Sequence, residues 1–294
     1  MEALESVINQ SYEDIELIIV DDASTDGSKE VINKWLESRK VVSFVNLPEN
    51  RGNTTAFNIG FALATGKYII DLAADDVLSA ERIEKQVKFF ESQNSMVGVI
   101  YSDADYIDEK SEKLHRHFDN PRLQPHTEDI YERVIDTYFI PTPTMMIRKV
   151  VLDELDGYAE SLAYEDFDFW VRSSRNWNYA FQPEVLTLVR KSDNSYSNGW
   201  YQQSDPQLHS TYLVCEKIKE LNKKESEKQA LVRRIHFELR QSAFSGNHRE
   251  FRLFYKLLQQ IEEPTLSYQL LNQLNKQGLN LSIFRSIYHK LRFS

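Results

Sequence analysis

Apolar residues in the first hundred positions follow two alternating patterns. One is short and apolar at nearly every position: residues 15–20 (IELIIV), 41–45, 67–72 and 97–101. Such runs suit strands buried on both faces, as in a parallel sheet. The other places apolar residues at helical spacing. Leu4, Val7 and Ile8 do so in residues 2–10, Val31, Ile32 and Trp35 in 28–38, and Ile83, Val87 and Phe90 in 79–93. A further helix is expected over 53–64. Strand and helix therefore alternate four times, which predicts a mostly parallel sheet with helices on its faces. Ligands of such sheets sit beyond the carboxyl ends of the strands. Two of these strands run into paired acids, Asp21-Asp22 and Asp75-Asp76.

The pattern is less regular further on. Residues 104–125 read as loop or short hairpin, 127–138 as a helix and 144–148 as a strand. Residues 167–174 read as a helix, and Phe181 and residues 185–190 as strands. From Tyr201 the spacing is helical almost to the end, with interruptions near Gly246, Pro264 and Gly278. The polar stretch SDNSYSNGW predicts a boundary near residue 200, between domains at 1–200 and 201–294.

Composition narrows the function. The 294 residues carry a net charge of −10, which disfavours a nucleic-acid partner. The charge is uneven: residues 1–200 balance to −16 and residues 201–294 to +6. That split suggests either different partners for the two regions or two ordinary solvated surfaces. Neither G-x-G-x-x-G nor G-x-x-x-x-G-K-[ST] occurs, so dinucleotide and P-loop sites are not expected. The single cysteine, Cys215, excludes an internal disulfide and reads as helix packing. It makes the cytoplasm the expected compartment. No run of 18 apolar residues predicts a membrane span, and the start at Met1, with Glu2 and Glu5 close behind, reads as no signal peptide.

Each candidate site has a plain structural alternative. Asp21-Asp22, followed by Ala-Ser-Thr-Asp-Gly, is either a polar turn with Asp26 capping the next helix or an acid pair that accepts bonds from a base or ribose. Asp75-Asp76 is either a turn leading to the helix at Ser79 or a ligand for a hard divalent cation, which prefers oxygen donors. Glu165-Asp166, in YEDFDFW, is either a helix start favoured by the dipole or a general base aimed at a hydroxyl. In the latter case Asp168 and Trp170 face the other way and serve packing or support. His115 and His117, two apart with no cysteine nearby, make a weak metal pair.

Taken together, three segments resemble the family 2 glycosyltransferases of GT-A fold: ALESVINQSYEDIELIIVDDASTDGS, NRGNTTAFNIGFALATGKYIIDLAADD and GYAESLAYEDFDFWVR. The resemblance covers roughly residues 2–197. It implies a GT-A (Rossmann-like) α/β domain followed by a helical C-terminal region. It implies that Asp22 contacts the nucleotide base, that Asn58 lines the donor site, and that Asp75 is the metal-binding acid of a D-x-D motif with Asp76 beside it. Asp166 then matches the catalytic base and Glu165 the acid before it. The implied activity is metal-dependent inverting transfer from a nucleoside-diphosphate sugar, UDP-linked in expectation, with Mn²⁺ or Mg²⁺ as cofactor. The implied acceptor is a saccharide or lipid-linked saccharide of cell-surface polysaccharide or glycan synthesis.

Three departures qualify this. Family members open with a strand that here would precede Met1, so the domain is expected to be N-terminally short, with IELIIV lacking a neighbour. The first acid of D-x-D is replaced in Leu72-Ala73-Ala74-Asp75-Asp76. The R-x-H of many members is Arg190-Lys191-Ser192. These leave open a catalytically inactive binding or scaffold protein of the same fold. A nucleotidyltransferase is the third reading, although no Gly-rich basic loop for a triphosphate is visible. The last stretch, residues 279–294, carries Arg285, Lys290 and Arg292 among Ile283, Phe284, Ile287, Tyr288 and Leu291, and no acid follows residue 263. It reads either as a packed terminal helix or as an interfacial helix making peripheral contact with the inner face of a membrane.

Overall fold

The computed structural model describes residues 1–37, 42–192, 201–279 and 281. The chain forms two compact units. One comprises Met1–Ile130, Phe139–Glu160 and Arg172–Ser192, and the other Tyr131–Tyr138, Ser161–Val171 and the chain from Asp193. Its elements begin α1 (Glu2–Ile8), β1 (Leu17–Asp21), α2 (Ser28–Leu36), β2 (Val42–Asn46), α3 (Asn53–Leu63), β3 (Tyr68–Ile69), β4 (Val77–Leu78), α4 (Arg82–Glu91) and β5 (Val97–Ile107). They continue β6 (Lys113–Arg116), α5 (Tyr131–Asp136), β7 (Met146–Arg148), α6 (Lys149–Leu155), α7 (Glu165–Ser173) and β8 (Asn178–Arg190). Four helices close the chain: α8 (Pro206–Leu221), α9 (Glu225–Ser245), α10 (His248–Ile261) and α11 (Leu266–Lys276).

The apolar runs become strands, although β3 keeps only two paired residues. In the first unit β1 and β2 pair in parallel, from Leu17 opposite Val42 to Asp21 opposite Asn46. A second sheet has the order β3-β7-β5-β8-β4, with β6 beside β5. Among the described residues β1 has β2 as its one strand neighbour and β3 has β7, so each keeps an unpaired edge. The mostly parallel arrangement expected from the alternation needs correction in detail. It holds for β1–β2 and β5–β8, but β3–β7, β4–β8, β5–β6 and β5–β7 run antiparallel. Parallel neighbours need a long crossover, whereas β5 and β6 are joined by a tight turn closed from Asp108 N to the Glu112 carbonyl.

β8 is one strand where the sequence suggested two. Its register against β5 jumps from Ser102–Gln182 to Asp103–Val185. Pro183 and Glu184 bulge out there, which is how a strand accommodates a proline that cannot donate to the ladder. The core of this unit gathers Ile83, Phe90, Val97, Ile100, Met146 and Ala180, with Tyr12, Ile15 and Tyr68 packed on it. Arg82 of α4 is fully buried. It donates to Gln86 Oε1 at 3.0 Å and to the Met145 carbonyl at 3.2 Å.

In the second unit α9 packs against α5, α8 and α10. α8 starts where Asp205 accepts from Gln207 N at 2.9 Å, with Pro206 at its first position, an N-cap arrangement that satisfies a helix-end donor. α9 ends at Gly246, whose φ of +74° suits a residue without a Cβ. Phe251, Phe254, Leu257 and Leu258 turn one face of α10 inward, and Cys215 is a buried free thiol. No helix among the described residues is long and apolar enough to cross a membrane. The helix suggested over 279–294 lies outside the described residues, apart from Leu279 and Leu281.

Candidate active site

Asp22 follows β1, where the apolar run stops. Its Oδ1 accepts from Arg51 N at 2.7 Å and its Oδ2 from Gly52 N at 2.8 Å. Gly52, at φ +88°, lets the chain turn into α3. The carboxylate therefore fixes the loop that enters α3, and its remaining lone pairs are open to a ligand.

Asn58 sits on α3 and is engaged on both amide atoms. Nδ2 donates to the Tyr158 carbonyl at 2.9 Å and to Glu160 Oε1 at 3.1 Å, and Oδ1 accepts from Tyr158 N at 2.9 Å. Glu160 also accepts from Thr55 Oγ1 at 2.9 Å. Hydrogen bonds from Asn58 and Thr55 hold its carboxyl below the usual range. Asn58 is thus a clamp between α3 and the segment after α6. Its spacing in A-x-N-x-G gave no sign of that role.

The turn at Asp75-Asp76 divides two adjacent acids sharply. Asp75 is exposed, and no donor among the described residues bonds its carboxylate. Asp76 is 3% exposed and accepts from Arg190 N at 2.9 Å. Burial, with the Asp75 charge adding to it, pushes Asp76 up to about 6. Burial also pulls fully buried Arg82 down to about 9, against the nearby Asp76 charge. Arg190, at the end of β8, holds the turn: Nε donates to the Asp75 carbonyl at 3.0 Å, Nη1 to the Asp108 carbonyl at 2.7 Å, and Nη2 to Glu2 at 2.6 Å. Lys191 is half-buried, its Nζ 4.9 Å from the centre of the Tyr106 ring. Burial lowers its pKa while the charges of Asp76 and Asp75 oppose that shift.

These residues fit a hard cation held by one protein carboxylate. The Asp75 oxygens are free to ligate, and no group of three His, Cys, Asp or Glu able to hold a metal occurs among the described residues. Ions such as Mg²⁺ are commonly held by one or two carboxylates together with substrate phosphates. The histidine pair is engaged differently: His117 bonds Tyr106 Oη at 2.9 Å and the Phe139 carbonyl at 3.0 Å.

Glu165 and Asp166 open α7 in the helical unit and are half-buried, with the next four residues buried. Asp168 is fully buried and accepts from Lys217 Nζ at 2.6 Å, and Trp170 is 2% exposed. Asp166, two positions before Asp168, is therefore separated from it by side, as helical spacing requires, and both leading acids differ from it in burial.

The family model described as "Glycosyl transferase family 2" matches residues 1–155, more than half of the chain. The chain belongs to glycosyl transferase family 2. Asp22, Asn58, Asp75 and Asp76 lie inside the matched span, and Glu165 and Asp166 lie beyond it. An uncharacterized glycosyltransferase of Methanocaldococcus jannaschii is 29% identical over 214 residues, covering 72% of each chain. Another, from Nostoc sp., is 34% identical over 158 residues, covering 52% of this chain and 48% of its own. One from Rickettsia bellii is 28% identical over 225 residues, so that this chain spans only 31% of its length. Among solved structures, S. aureus TarS 1-349 in complex with UDP-GlcNAc matches with a TM-score of 0.65 at 17% identity, over 94% of this chain and 87% of that one. The mannosyltransferase PcManGT from Pyrobaculum calidifontis, in complex with GDP-Man and Mn²⁺, matches with a TM-score of 0.57 at 16% identity, over 96% and 81%. At these identities the likeness is one of fold, the GT-A fold expected from the sequence.

Within this family 2 domain, sequence reasoning missed Arg190, Glu160 and the backbone of Tyr158. Arg190 had a signal in the altered R-x-H position. Glu160 had none, because its partners Thr55 and Asn58 lie more than a hundred positions earlier.

Proposed function

We propose that the chain is an inverting glycosyltransferase. It moves a sugar from a nucleoside-diphosphate donor, with UDP the first candidate, to an acceptor hydroxyl in cell-surface polysaccharide or glycan synthesis. The observation that carries this reading is the Asp75-Asp76 turn. An open, exposed carboxylate stands beside a buried, hydrogen-bonded one, in a turn tied down by Arg190. A Mn²⁺ or Mg²⁺ at Asp75, when bound, neutralises the charge that the diphosphate gains on leaving. Lys191 adds a cation beside the same turn. Asp22 offers its remaining lone pairs to the donor's base.

Asp166 takes the proton of the acceptor hydroxyl. The oxygen forms its bond to the anomeric carbon from the face opposite the leaving group, and the bond to the diphosphate oxygen breaks with its electron pair. Glu165 supports the base from the same turn. A single base on the acceptor side is sufficient for inversion. UDP-GlcNAc and GDP-Man, bound in the fold's neighbours, are the first donors to try.

The test is release of nucleoside diphosphate from these donors and from other UDP-sugars, with Mn²⁺ present and a mixed panel of saccharide acceptors. Asp166→Asn should slow release by about 10²–10⁴-fold while UDP still binds. UDP binding with no release from any donor would favour the inactive binding protein instead.

A further inference from the structure

The helical unit holds a cavity of about 640 Å³ walled in part by α9. Three guanidinium groups line it. Arg234 is 3% exposed. Its Nε donates to the Ile135 carbonyl at 2.7 Å and its Nη1 to Glu238 at 3.3 Å, while Nη2 is buried with no acceptor among the described residues. Arg240 donates from Nη1 to Tyr268 Oη at 2.6 Å, and its Nε is likewise buried with no acceptor among the described residues. Arg233, at the rim, pairs with Asp136 at 2.9 Å. Glu238 and Asp136 thus each answer one guanidinium, and no carboxylate among the described residues pairs with Arg240. Buried cationic donors without acceptors are costly. Those two atoms are closed to solvent, and Arg240 Nη2 and the Nη groups of Arg233, which make no hydrogen bond among the described residues, are the donors left to meet an anion in the cavity.

The walls indicate which molecule carries the anion. Tyr138 lines the cavity, and the Arg234 guanidinium lies 4.0 Å from its ring centre. The same ring packs edge-on against Tyr164 at 5.2 Å and Phe167 at 5.0 Å. Those two residues flank Glu165 and Asp166 in the chain. One aromatic ring therefore links the cavity to the turn bearing the proposed base, whose partner in the reaction is the acceptor.

We propose that this cavity binds an oxyanion, phosphate or carboxylate, carried by the acceptor, so that the enzyme selects an acidic acceptor. The inference rests on the reading of Asp166 as the base. Forked guanidinium donors match either oxyanion in a bidentate manner.

The test is calorimetric titration of the full chain, saturated with UDP and Mn²⁺ to fill the donor site, with glucose 6-phosphate, glucuronate and glucose. The expected result is that at least one acid binds about tenfold more tightly than glucose, with the two acids separating phosphate from carboxylate. Arg240→Gln and the rim variant Arg233→Gln should each weaken that binding and leave the UDP affinity unchanged. Equal binding of all three sugars, no binding of any, or acid binding untouched in both variants would overturn the proposal. UDP binding is read in the same experiments. Its loss in the wild type would count against the donor site and leave the cavity result standing, whereas intact UDP binding with no acid preference would count against the cavity alone.

Discussion

Tyr158 N donates to Asn58 Oδ1 at 2.9 Å, and Asn58 Nδ2 donates back to the Tyr158 carbonyl at 2.9 Å, across a hundred positions of sequence. The neighbouring Gly157 has φ +72°, and a Cβ there would run into Asn58 Oδ1. Asn58→Ala leaves two backbone groups without these bonds and should cost about 1–3 kcal/mol. Gly157→Ala adds backbone strain to the collision and should cost about 1–3 kcal/mol or more. Urea unfolding of each variant checks both values.

Asp76 sets a pH dependence of stability in the metal-free protein. Its folded pKa of about 6 lies above the ordinary value of 3.8. Between those values the native state binds more protons than the unfolded state, so stability falls as pH rises from about 4 to about 6. A shift of this size corresponds to on the order of 2–3 kcal/mol over the window. Denaturation midpoints across that range, compared with Asp76→Asn, should show the downward step flattened in the variant.

Lys217 answers a carboxylate that has left water. Asp168 is fully buried and lies 2.6 Å from the Lys217 ammonium. Lys217→Met deletes that charge and should destabilise the protein by about 3 kcal/mol, whereas the same change at Lys223, which makes no such pair, should be close to neutral. Thermal unfolding of the two variants distinguishes them.

Arg190 shapes the turn that bears Asp75, the proposed cation ligand. Its guanidinium spans the Asp75 carbonyl, the Asp108 carbonyl, Ser111 and Glu2. Arg190→Lys keeps the charge and loses the fork. The expected outcome is UDP binding in Mn²⁺ weakened by about tenfold, equivalent to roughly 1.4 kcal/mol, with the metal-free affinity changed less.

Much of this was legible in the chain itself. Four apolar runs at nearly every position marked β1, β2, β3 and β5, and the acids that end two of them marked Asp22 and Asp75. Local patterns report what a residue prefers, so they found elements and the acids that follow strand ends. They failed where the partner is remote. Nothing near Asn58 shows that its amide serves Tyr158, and nothing near Arg190 shows that it ties down the Asp75 turn. The continuity of β8 was hidden for a different reason: Pro183 cannot donate to a ladder, and only the bulge opposite Ser102 and Asp103 lets one strand run through it. The cavity arginines fell in a stretch that read as amphipathic helix, where exposed basic residues are ordinary.

Asp75 is proposed to hold the cation that holds the donor. Calorimetric titration of UDP into the wild type and Asp75→Ala, each with and without Mn²⁺, tests it most directly. UDP binding is expected to strengthen with Mn²⁺ in the wild type and to lose that metal dependence in Asp75→Ala. Equal UDP affinity in the two proteins with Mn²⁺ present would contradict it.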